Sequence, residues 1–408
     1  MQTKLSAEFR ELEDAQQAAS LIKKCVHCGF CNATCPTYQV LGDELDGPRG
    51  RIYLIKEMLE GGAAGRTTQV HLDRCLTCLN CETTCPSGVK YGQIVDIGRQ
   101  LIETRASRPA LERMARVCLR SGLTSAWFAP LVGVGRLLRG LLPKVLQDKI
   151  PADGLQIAPR PSAAHAKKIL LLKGCVQPAL LPSIDAATKR VLDAAGIETR
   201  IAESTGCCGA LRTHLADHDG GLDDMRRNID AWDQELERGD IIAIVSSATA
   251  CALSLKGYGT SLAHDAKYAA RAARVSALTR DLSELLPDIA TALKGKIRAR
   301  RERGAYHPPC TLQHGQKLRG GVEESLKSLG FEVSLPRDSH LCCGSAGTYS
   351  LLQPKVASEL RDRKIDNLLR SAPDVIVSGN IGCIQHLKSA ANIPVKHWIE
   401  WLDEALTA

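Results

Sequence analysis

The hydrophobic and polar positions of this chain follow different periods in its two halves. Near the N-terminus, Ile52, Ile55 and Met58 recur at helical spacing between a Gly-Pro pair and a Gly-Gly pair. This spacing predicts a helix within residues 47–62. From about residue 166, short β-branched runs alternate with amphipathic stretches of helical period. We therefore predict an α/β chain overall, with a mainly helical N-terminal domain and parallel-sheet units after it.

The second half contains an internal duplication with a period of about 135 residues. In both copies, 31 residues separate a first cysteine from a Cys-Cys-Gly (CCG) triplet. The matching segments are ILLLKGCVQP (169–178), CCG (207–209) and DIIAIVSSATAC (240–251) in the first copy, and AYHPPC (305–310), CCG (342–344) and PDVIVSGNIGC (373–383) in the second. We predict that each copy is an α/β unit whose cysteines meet where a parallel sheet gathers its loops.

An apolar stretch at residues 123–146 lies between the two halves. Arg136, Arg139 and Lys144 interrupt it and Pro130 and Pro143 bracket it, which argues against a transmembrane helix. The residues that share one face of the predicted helix are Leu131, Val134, Leu138, Leu141, Leu142 and Val145. Such a face is typical of contact with a membrane surface, docking of a partner subunit, or packing onto its own domain. The Pro- and Ala-rich residues 151–168 are expected to form an interdomain linker.

Composition narrows the class of protein. A chain of 408 residues with 44% hydrophobic and 24% charged residues excludes a miniature disulfide scaffold, wholesale disorder and collagen-like repeats. The net charge of +8 favours acidic partners or an anionic membrane surface. We find no nucleic-acid-binding motif and expect no nucleic-acid partner. The polar N-terminus lacks a secretory signal, so we expect a cytoplasmic protein.

Seventeen cysteines are the unusual feature of the composition, and eight of them form two identical patterns. Residues 25–36 read CVHCGFCNATCP and residues 75–86 read CLTCLNCETTCP, each a C-x-x-C-x-x-C-x-x-x-C-P run. These runs resemble the ligand runs of bacterial two-cluster ferredoxins, in which the fourth cysteine of each run ligates the other cluster. Zinc is the alternative, although it prefers separate C-x-x-C pairs.

The ferredoxin resemblance implies two [4Fe-4S] clusters with crossed ligands. The ligands would be Cys25, Cys28, Cys31 and Cys85 for one cluster, and Cys75, Cys78, Cys81 and Cys35 for the other. The segment between the runs is longer than in a compact ferredoxin, which favours a helical ferredoxin-type domain. Within it, Arg49 and Arg51 could act on a cluster potential or on an acidic partner, or could be solvated or helix-capping residues.

The duplicated half offers four cysteines per copy as candidate ligands of one or two further iron-sulfur clusters. They are Cys175, Cys207, Cys208 and Cys251 in the first copy, and Cys310, Cys342, Cys343 and Cys383 in the second. Adjacent cysteines ligate one mononuclear ion poorly but can serve two irons of a cluster. A redox disulfide in each copy and inert buried thiols are the alternatives.

Taken over its full length, the chain resembles the iron-sulfur subunits of bacterial glycolate oxidase (glycolate dehydrogenase). The segments that carry the resemblance are the two cysteine runs, PRGRIYLIKEM, CCGALRTHL, RRNIDAW, YHPPCTLQHGQ, CCGSAGTYSLLQP and SGNIGCIQHL. The domains predicted on this basis are a helical ferredoxin-type domain (1–106), an amphipathic helical connector (107–165), a first CCG domain (166–290) and a second CCG domain (291–408).

The resemblance implies an electron-transfer subunit without substrate chemistry of its own. Partner subunits of glycolate oxidase would bind FAD and oxidise glycolate to glyoxylate. This chain would pass electrons toward a quinone or another respiratory acceptor, in the cytoplasm or at the periphery of the inner membrane. It carries no Rossmann or FAD fingerprint. The alternatives are the iron-sulfur subunit of a D-lactate or glycerol-3-phosphate dehydrogenase, and a thiol/disulfide enzyme similar to heterodisulfide reductase.

Two positions depart from the heterodisulfide reductase pattern, whose CCG motif ends in C-x-x-C. Here the ends read CALS (251–254) and CIQH (383–386), so Ser254 and His386 stand in place of a fifth cysteine. His386 could ligate a cluster, neighbour it, carry protons or pack structurally. His307 is a second candidate neighbour or proton carrier. If only one CCG domain holds a cluster, we expect it to be the second.

Overall fold

The computed structural model describes residues 1–141 and 163–407. Residues 1–141 form a helical domain and the helices that connect it to the rest. The helices are α1 (Glu13–Lys23), α2 (Phe30–Ala33), α3 (Pro36–Leu41), α4 (Pro48–Leu59), α5 (Arg66–Asp73), α6 (Asn80–Thr84), α7 (Tyr91–Arg105), α8 (Ala110–Thr124) and α9 (Phe128–Leu137), with short 3₁₀ turns at Glu44–Asp46 and Arg139–Leu141.

Helix α4 confirms the helix predicted from the apolar spacing. It starts with Pro48 at its first turn, where the missing N-H of proline costs no hydrogen bond. Ile52, Ile55 and Met58 are buried in a core that α4 shares with α1 and α7. This core fixes the segment between the two cysteine runs, and with it the positions of the runs.

The second half confirms the predicted duplication, because it contains two four-stranded sheets of the same topology. All strands are parallel, with the orders β2-β1-β3-β4 and β6-β5-β7-β8. The strands are β1 (Lys167–Leu171), β2 (Ile197–Arg200), β3 (Ile241–Ser246), β4 (Thr279–Asp281), β5 (Arg303–His307), β6 (Glu332–Ser334), β7 (Val375–Ser378) and β8 (Val395–His397).

Helices connect the strands of each sheet, as parallel pairing requires. In the first copy they are α10 (Gln177–Leu180), α11 (Pro182–Ala194), α12 (Ala210–His214), α13 (His218–Glu237), α14 (Thr249–Lys256), α15 (Tyr258–Ser261), α16 (Ala269–Leu278) and α17 (Leu282–Ala292). In the second they are α18 (Gly321–Ser328), α19 (Tyr349–Leu352), α20 (Pro354–Leu369), α21 (Ile381–Lys388) and α22 (Trp398–Asp403), with a π-helical turn at Thr311–Gly315.

The two sheets share one hydrophobic core. Ile169 and Leu171 of β1 belong to the same buried cluster as Val377 of β7 and Trp401 of α22. The intervening residue Leu170 faces a different core on the other side of the first sheet. Burial of both faces is typical of a parallel sheet. The two copies therefore form one folded unit around a common interior.

The connector has an exposed apolar face. Within the described ranges no single helix has the length and apolarity needed to cross a membrane, and α8 and α9 meet that requirement only as a pair bent by 95°. Of the predicted shared face, Leu131, Val134, Leu138 and Leu141 are exposed. Leu142, Val145 and most of the predicted linker lie outside the described residues.

Candidate metal centres

The first cysteine run surrounds a pocket together with the last cysteine of the second run. Cys25, Cys28 and Cys31 of the first run line this pocket. Cys85, which directly follows α6, lines it as well. Cys81 also reaches its wall. The structure thus brings together the four cysteines that the ferredoxin resemblance groups as one ligand set.

A second pocket has the reciprocal composition. Cys75, Cys78 and Cys81 line it from the second run, and Cys35 lines it from the first. All seventeen cysteines of the chain are free thiols, so sulfur donors are available in both pockets. Four convergent sulfur donors per pocket fit the ligand requirement of a [4Fe-4S] cluster.

The backbone around the two pockets has the same unusual conformation in both runs. His27 and Thr77, each two residues after the first cysteine, have φ values of 58° and 50°. Two residues further on, Gly29 and Leu79 have φ values of 86° and 62°. A side-chain-bearing residue in this left-handed region costs about 1–2 kcal/mol. The core packing of the domain therefore holds strained turns at the places where the cysteines converge.

A buried guanidinium lies beside the second pocket. Arg51 is 1% exposed, donates to the carbonyl of His71 at 2.7 Å and lies 3.5 Å from the Asp46 carboxylate. Burial disfavours the thiolate of Cys75, but the positive charges of Arg51 and Arg99, together with hydrogen bonds from Tyr91 and Thr77, outweigh it and lower the pKa of Cys75. Arg51 is thus not the solvated residue that one interpretation of the sequence suggested.

Arg49 differs from Arg51 in its environment. Its side chain is partly exposed and pairs with Glu44 at 2.6 Å, which matches the solvated interpretation.

The other two cysteines of the second run in this pocket differ from Cys75. Burial raises the pKa values of the Cys78 and Cys81 thiols.

The cysteines of the first CCG domain form a continuous row of thiols. Cys175 contacts Cys207, the adjacent Cys208 follows, and Cys208 contacts Cys251 at the start of α14. The hydrogen bond to Cys207 and burial raise the pKa of Cys175. The loops after β1, β2 and β3 thus converge as the strand order predicts.

The second CCG domain repeats this row with Cys310, Cys342, Cys343 and Cys383, all of them buried. A histidine joins this set: donor atoms of His307, Cys343 and Cys383 lie within 4.8 Å of one another. His307 is therefore placed beside the second row of thiols.

The backbone conformation and close packing of each CCG triplet require glycine at its third position. Gly209 and Gly344 have φ values of 88° and 86°, which only glycine adopts without strain. A Cβ would also lie 2.7 Å from the carbonyl oxygen of Gly221 at the first site and 2.5 Å from that of Ala357 at the second. The glycine lets helix α13 in the first copy and helix α20 in the second approach the two cysteines that precede it.

The two residues in place of a fifth cysteine hydrogen-bond to the backbone. Ser254 donates to the carbonyl of Cys208 at 2.8 Å. His386 is buried, and its Nε2 donates to the carbonyl of Ala357 at 3.0 Å. Of the interpretations left open for His386, these contacts favour the packed structural histidine.

The second ferredoxin-type pocket adjoins the second CCG domain. Leu76 and Cys78 belong to the same hydrophobic cluster as Cys310, Cys342 and Tyr349. Hydrogen bonds cross the boundary as well. Thr83 pairs with His314 at 3.1 Å, and burial lowers the pKa of His314 to about 4, so this histidine is neutral at pH 7 and bonds as a neutral ring.

Lys364 of α20 is a candidate functional residue that the sequence analysis missed. Its side chain is 1% exposed, and its ammonium donates to the carbonyl of Asp338 near Cys310, Cys342 and Cys343. A signal was present in the duplication, since DRKID (362–366) matches RRNID (226–230) with lysine in place of Asn228.

Comparison with known proteins agrees with this arrangement. Residues 21–89 match the family described as 4Fe-4S dicluster domain, and residues 169–256 and 304–388 match the cysteine-rich domain family, CCG. A lactate utilization protein A from an Exiguobacterium species is 26% identical, covering 58% of this chain and 98% of the relative.

Two glycolate oxidase relatives match over nearly the whole length of both chains. The probable glycolate oxidase iron-sulfur subunit of Bacillus subtilis is 28% identical, covering 93% of this chain and 90% of the relative. The glycolate oxidase iron-sulfur subunit of Escherichia coli is 50% identical, covering 100% of this chain and 99% of the relative. With half of all positions identical and both domain types matched, the chain belongs to the family of glycolate oxidase iron-sulfur subunits.

Proposed function

We propose that this chain is the electron-transfer subunit of a flavin-dependent complex that oxidises glycolate to glyoxylate. The observation that carries the proposal is the contact between the second ferredoxin-type pocket and the second CCG thiol row, through Cys78, Cys310 and Cys342. Bound iron-sulfur clusters supply one-electron acceptance and release. Adjoining sulfur-lined sites are what a subunit needs to carry electrons from one partner to another.

In this proposal the eight cysteines of the two runs are the cluster ligands, in the crossed sets. Cys25, Cys28, Cys31 and Cys85 hold one [4Fe-4S] cluster, and Cys75, Cys78, Cys81 and Cys35 hold the other. The support is the lining of the two pockets together with the match to a dicluster domain. The surrounding residues orient these thiols: Tyr91 donates to Cys75 Sγ at 3.5 Å, and Thr37 contacts Cys35 Sγ at 3.2 Å.

The CCG cysteines are proposed as ligands of one or two additional clusters. Their support is the convergence of four thiols in each copy and the match to the cysteine-rich domain. The second copy is the stronger candidate, because its thiols adjoin the ferredoxin-type domain and have the imidazole of His307 beside them.

The proposed partners are flavoprotein subunits that bind FAD and glycolate, and a quinone or another respiratory acceptor. We place a peripheral contact with the cytoplasmic face of the inner membrane on the exposed apolar side of α9 and the turn after it. Leu137 and Leu141 are 86% and 84% exposed there. Burying one such leucine stabilises an association by about 1.5–3 kcal/mol.

Glycolate-dependent reduction of the clusters tests the function. The chain should copurify anaerobically with flavoprotein subunits, and glycolate should reduce its clusters in that complex, as seen by EPR. The isolated chain should contain iron and acid-labile sulfide but leave glycolate unchanged. Glycolate oxidation by the chain alone would contradict the proposal. Cluster reduction by D-lactate or glycerol 3-phosphate but not by glycolate would assign the subunit to a different dehydrogenase.

A further inference from the structure

His307 occupies a position that a metal ligand would occupy. It lies at the carboxyl end of β5 and is 0% exposed. Its ring nitrogen lies within 4.8 Å of the sulfur atoms of Cys343 and Cys383. Within residues 1–141 and 163–407, neither ring nitrogen has a hydrogen-bond partner. An unpartnered buried polar group costs about 1–3 kcal/mol, so the fold retains a costly histidine beside a set of thiols.

The first CCG domain lacks this histidine. Leu172 and His307 each lie three positions before the first cysteine of their copy. Leu172 is buried among the apolar residues of its own core. At this position the first domain therefore offers an apolar side chain, whereas the second offers an imidazole nitrogen.

A second difference between the copies also sets the second site apart from the first. Asn228 in the first copy donates to the carbonyl of Cys207 at 2.7 Å and is neutral. At the matching position the second copy has the buried ammonium of Lys364 near three of its cysteines. The second site thus has a neutral nitrogen donor and a positive charge that the first site lacks, and the positive charge offsets part of the negative charge of a thiolate-bound metal centre.

We propose that His307 supplies a ring-nitrogen ligand to an iron-sulfur cluster held by the second CCG domain. The two CCG domains then differ in ligation, with sulfur only in the first and sulfur plus one nitrogen in the second. This inference rests on the proposed function only in requiring a cluster in the second CCG domain. Imidazole ligands raise the potential of an iron-sulfur cluster relative to thiolates, so the cluster of the second domain is the better electron acceptor of the two sites.

Histidine-selective nitrogen labelling tests this ligand directly. The complex is purified anaerobically from cells fed ¹⁴N- or ¹⁵N-histidine, poised at a series of potentials and examined by pulsed EPR. A cluster signal with a strong histidine-nitrogen coupling is expected. ⁵⁷Fe Mössbauer spectra of the same samples detect nitrogen-ligated iron even in a diamagnetic state. Absence of histidine-ligated iron by both methods would overturn the inference.

Variants identify which histidine is the ligand. His307→Ala should remove the nitrogen coupling, and His307→Cys should keep the iron, lose the coupling and move the midpoint potential of that cluster to a more negative value. His386→Gln is the matched control, because His386 is also buried and bonds to the backbone; the nitrogen coupling should persist in this variant. Coupling that survives in His307→Ala, or disappears only in His386→Gln, would overturn the assignment.

The same measurements separate this inference from the proposed function. A complex with about eight irons per chain, as two four-iron clusters give, that glycolate still reduces would overturn the His307 ligand and leave the electron-transfer function intact. Failure of glycolate to reduce the clusters of the wild-type complex would contradict the function, whether or not a nitrogen coupling is present.

Discussion

The hydroxyl of Tyr349 donates a hydrogen bond of 3.1 Å to the carbonyl oxygen of Arg74, one residue before Cys75. Asn80 makes a similar link in the opposite direction, donating to the carbonyl of His340 at 3.2 Å. Together with the pair of Thr83 and His314, these bonds join the second CCG domain to the ferredoxin-type domain at three points within the second run and next to it. The relative position of the two thiol sets depends on these bonds.

Replacing Tyr349 with phenylalanine should loosen this boundary without removing a ligand. One lost hydrogen bond should weaken the local structure by about 1 kcal/mol, which raises hydrogen exchange of the amides around residues 74–85 about fivefold. Iron content should stay unchanged. Tyr53→Phe is the control, since Tyr53 is 48% exposed. Unchanged exchange in Tyr349→Phe would show that this hydrogen bond does not help to hold the two domains together.

Single cysteine replacements should reveal the crossed ligand sets. Cys85→Ser should remove the same EPR signal as Cys28→Ser, and Cys35→Ser the same signal as Cys78→Ser, each with a loss of about four irons per chain. The physical reason is that each pocket takes its fourth sulfur from the other run. Iron analysis and EPR of dithionite-reduced protein provide the measurement.

Cys118→Ser is the control for these replacements, because Cys118 is exposed on α8; its iron content should equal that of the wild type. If Cys35→Ser and Cys28→Ser removed the same signal, the ligand sets would follow the runs and the crossed assignment would be wrong.

Asp185 should make the CCG half less stable above pH 6 than it is near pH 4. Burial raises the pKa of Asp185 to about 6, although its carboxylate accepts hydrogen bonds from Gln177 at 2.7 Å and Ser247 at 3.2 Å. The folded state favours the protonated carboxyl of Asp185. Its contribution to the free energy of unfolding is therefore fully present below about pH 4, the pKa of an aspartate in the unfolded chain, and is lost as the pH rises through about 6.

Asp185→Asn should therefore stabilise the protein at pH 7.5 by at most about 3 kcal/mol, as about two pKa units imply. This gain should shrink below pH 6 and vanish near pH 4. Urea unfolding followed by tryptophan fluorescence measures it, because Trp232, Trp398 and Trp401 are buried in this half. Asp288→Asn, on the exposed side of α17, is the control. A gain of equal size at pH 4.5 and pH 7.5 would contradict the titration argument.

Negative charges on the exposed apolar side of α9 and of the turn after it should weaken membrane contact. The double variant Leu137→Glu and Leu141→Glu should reduce cosedimentation with vesicles of anionic lipid at least tenfold, because two apolar side chains no longer enter the lipid and two negative charges are repelled. Leu335→Glu, at a 46% exposed site in the second CCG domain, should bind like the wild type.

Two other results would contradict the proposed membrane role of this surface. Vesicle binding of the double variant equal to that of the wild type would exclude the proposed membrane contact. If the variant instead lost copurification with the flavoprotein subunits, the apolar face would be the docking surface for the partner.

The sequence predicted much of the fold because its signals are local. The spacing of Cys25, Cys28 and Cys31 places three thiols on one short turn, whatever the rest of the chain does. The β-branched runs around the two CCG triplets likewise predict strands, and the duplication predicts that the two copies share one topology. The cysteine turn and the strands needed only residues close together in the chain.

The environments of Arg51, Lys364 and His307 could not be predicted in the same way. Arg51 and Lys364 lie on amphipathic helices where a charged residue ordinarily faces solvent, but helices and loops distant in sequence cover them. His307 is a candidate by its nearness to Cys310 in the chain. Its position beside Cys343 and Cys383 depends on how three separate loops meet, which no local pattern encodes.

The crossed lining of the two pockets has a consequence for biosynthesis. A ribosome makes the chain from its N-terminus, so the first pocket, begun at Cys25, lacks its fourth thiol until Cys85 has been translated. The second pocket is complete earlier, at Cys81, because its contribution from the first run is already present. The pocket that is started first is therefore finished last. Neither pocket has all four thiols of its crossed set before the helices between the runs have been translated.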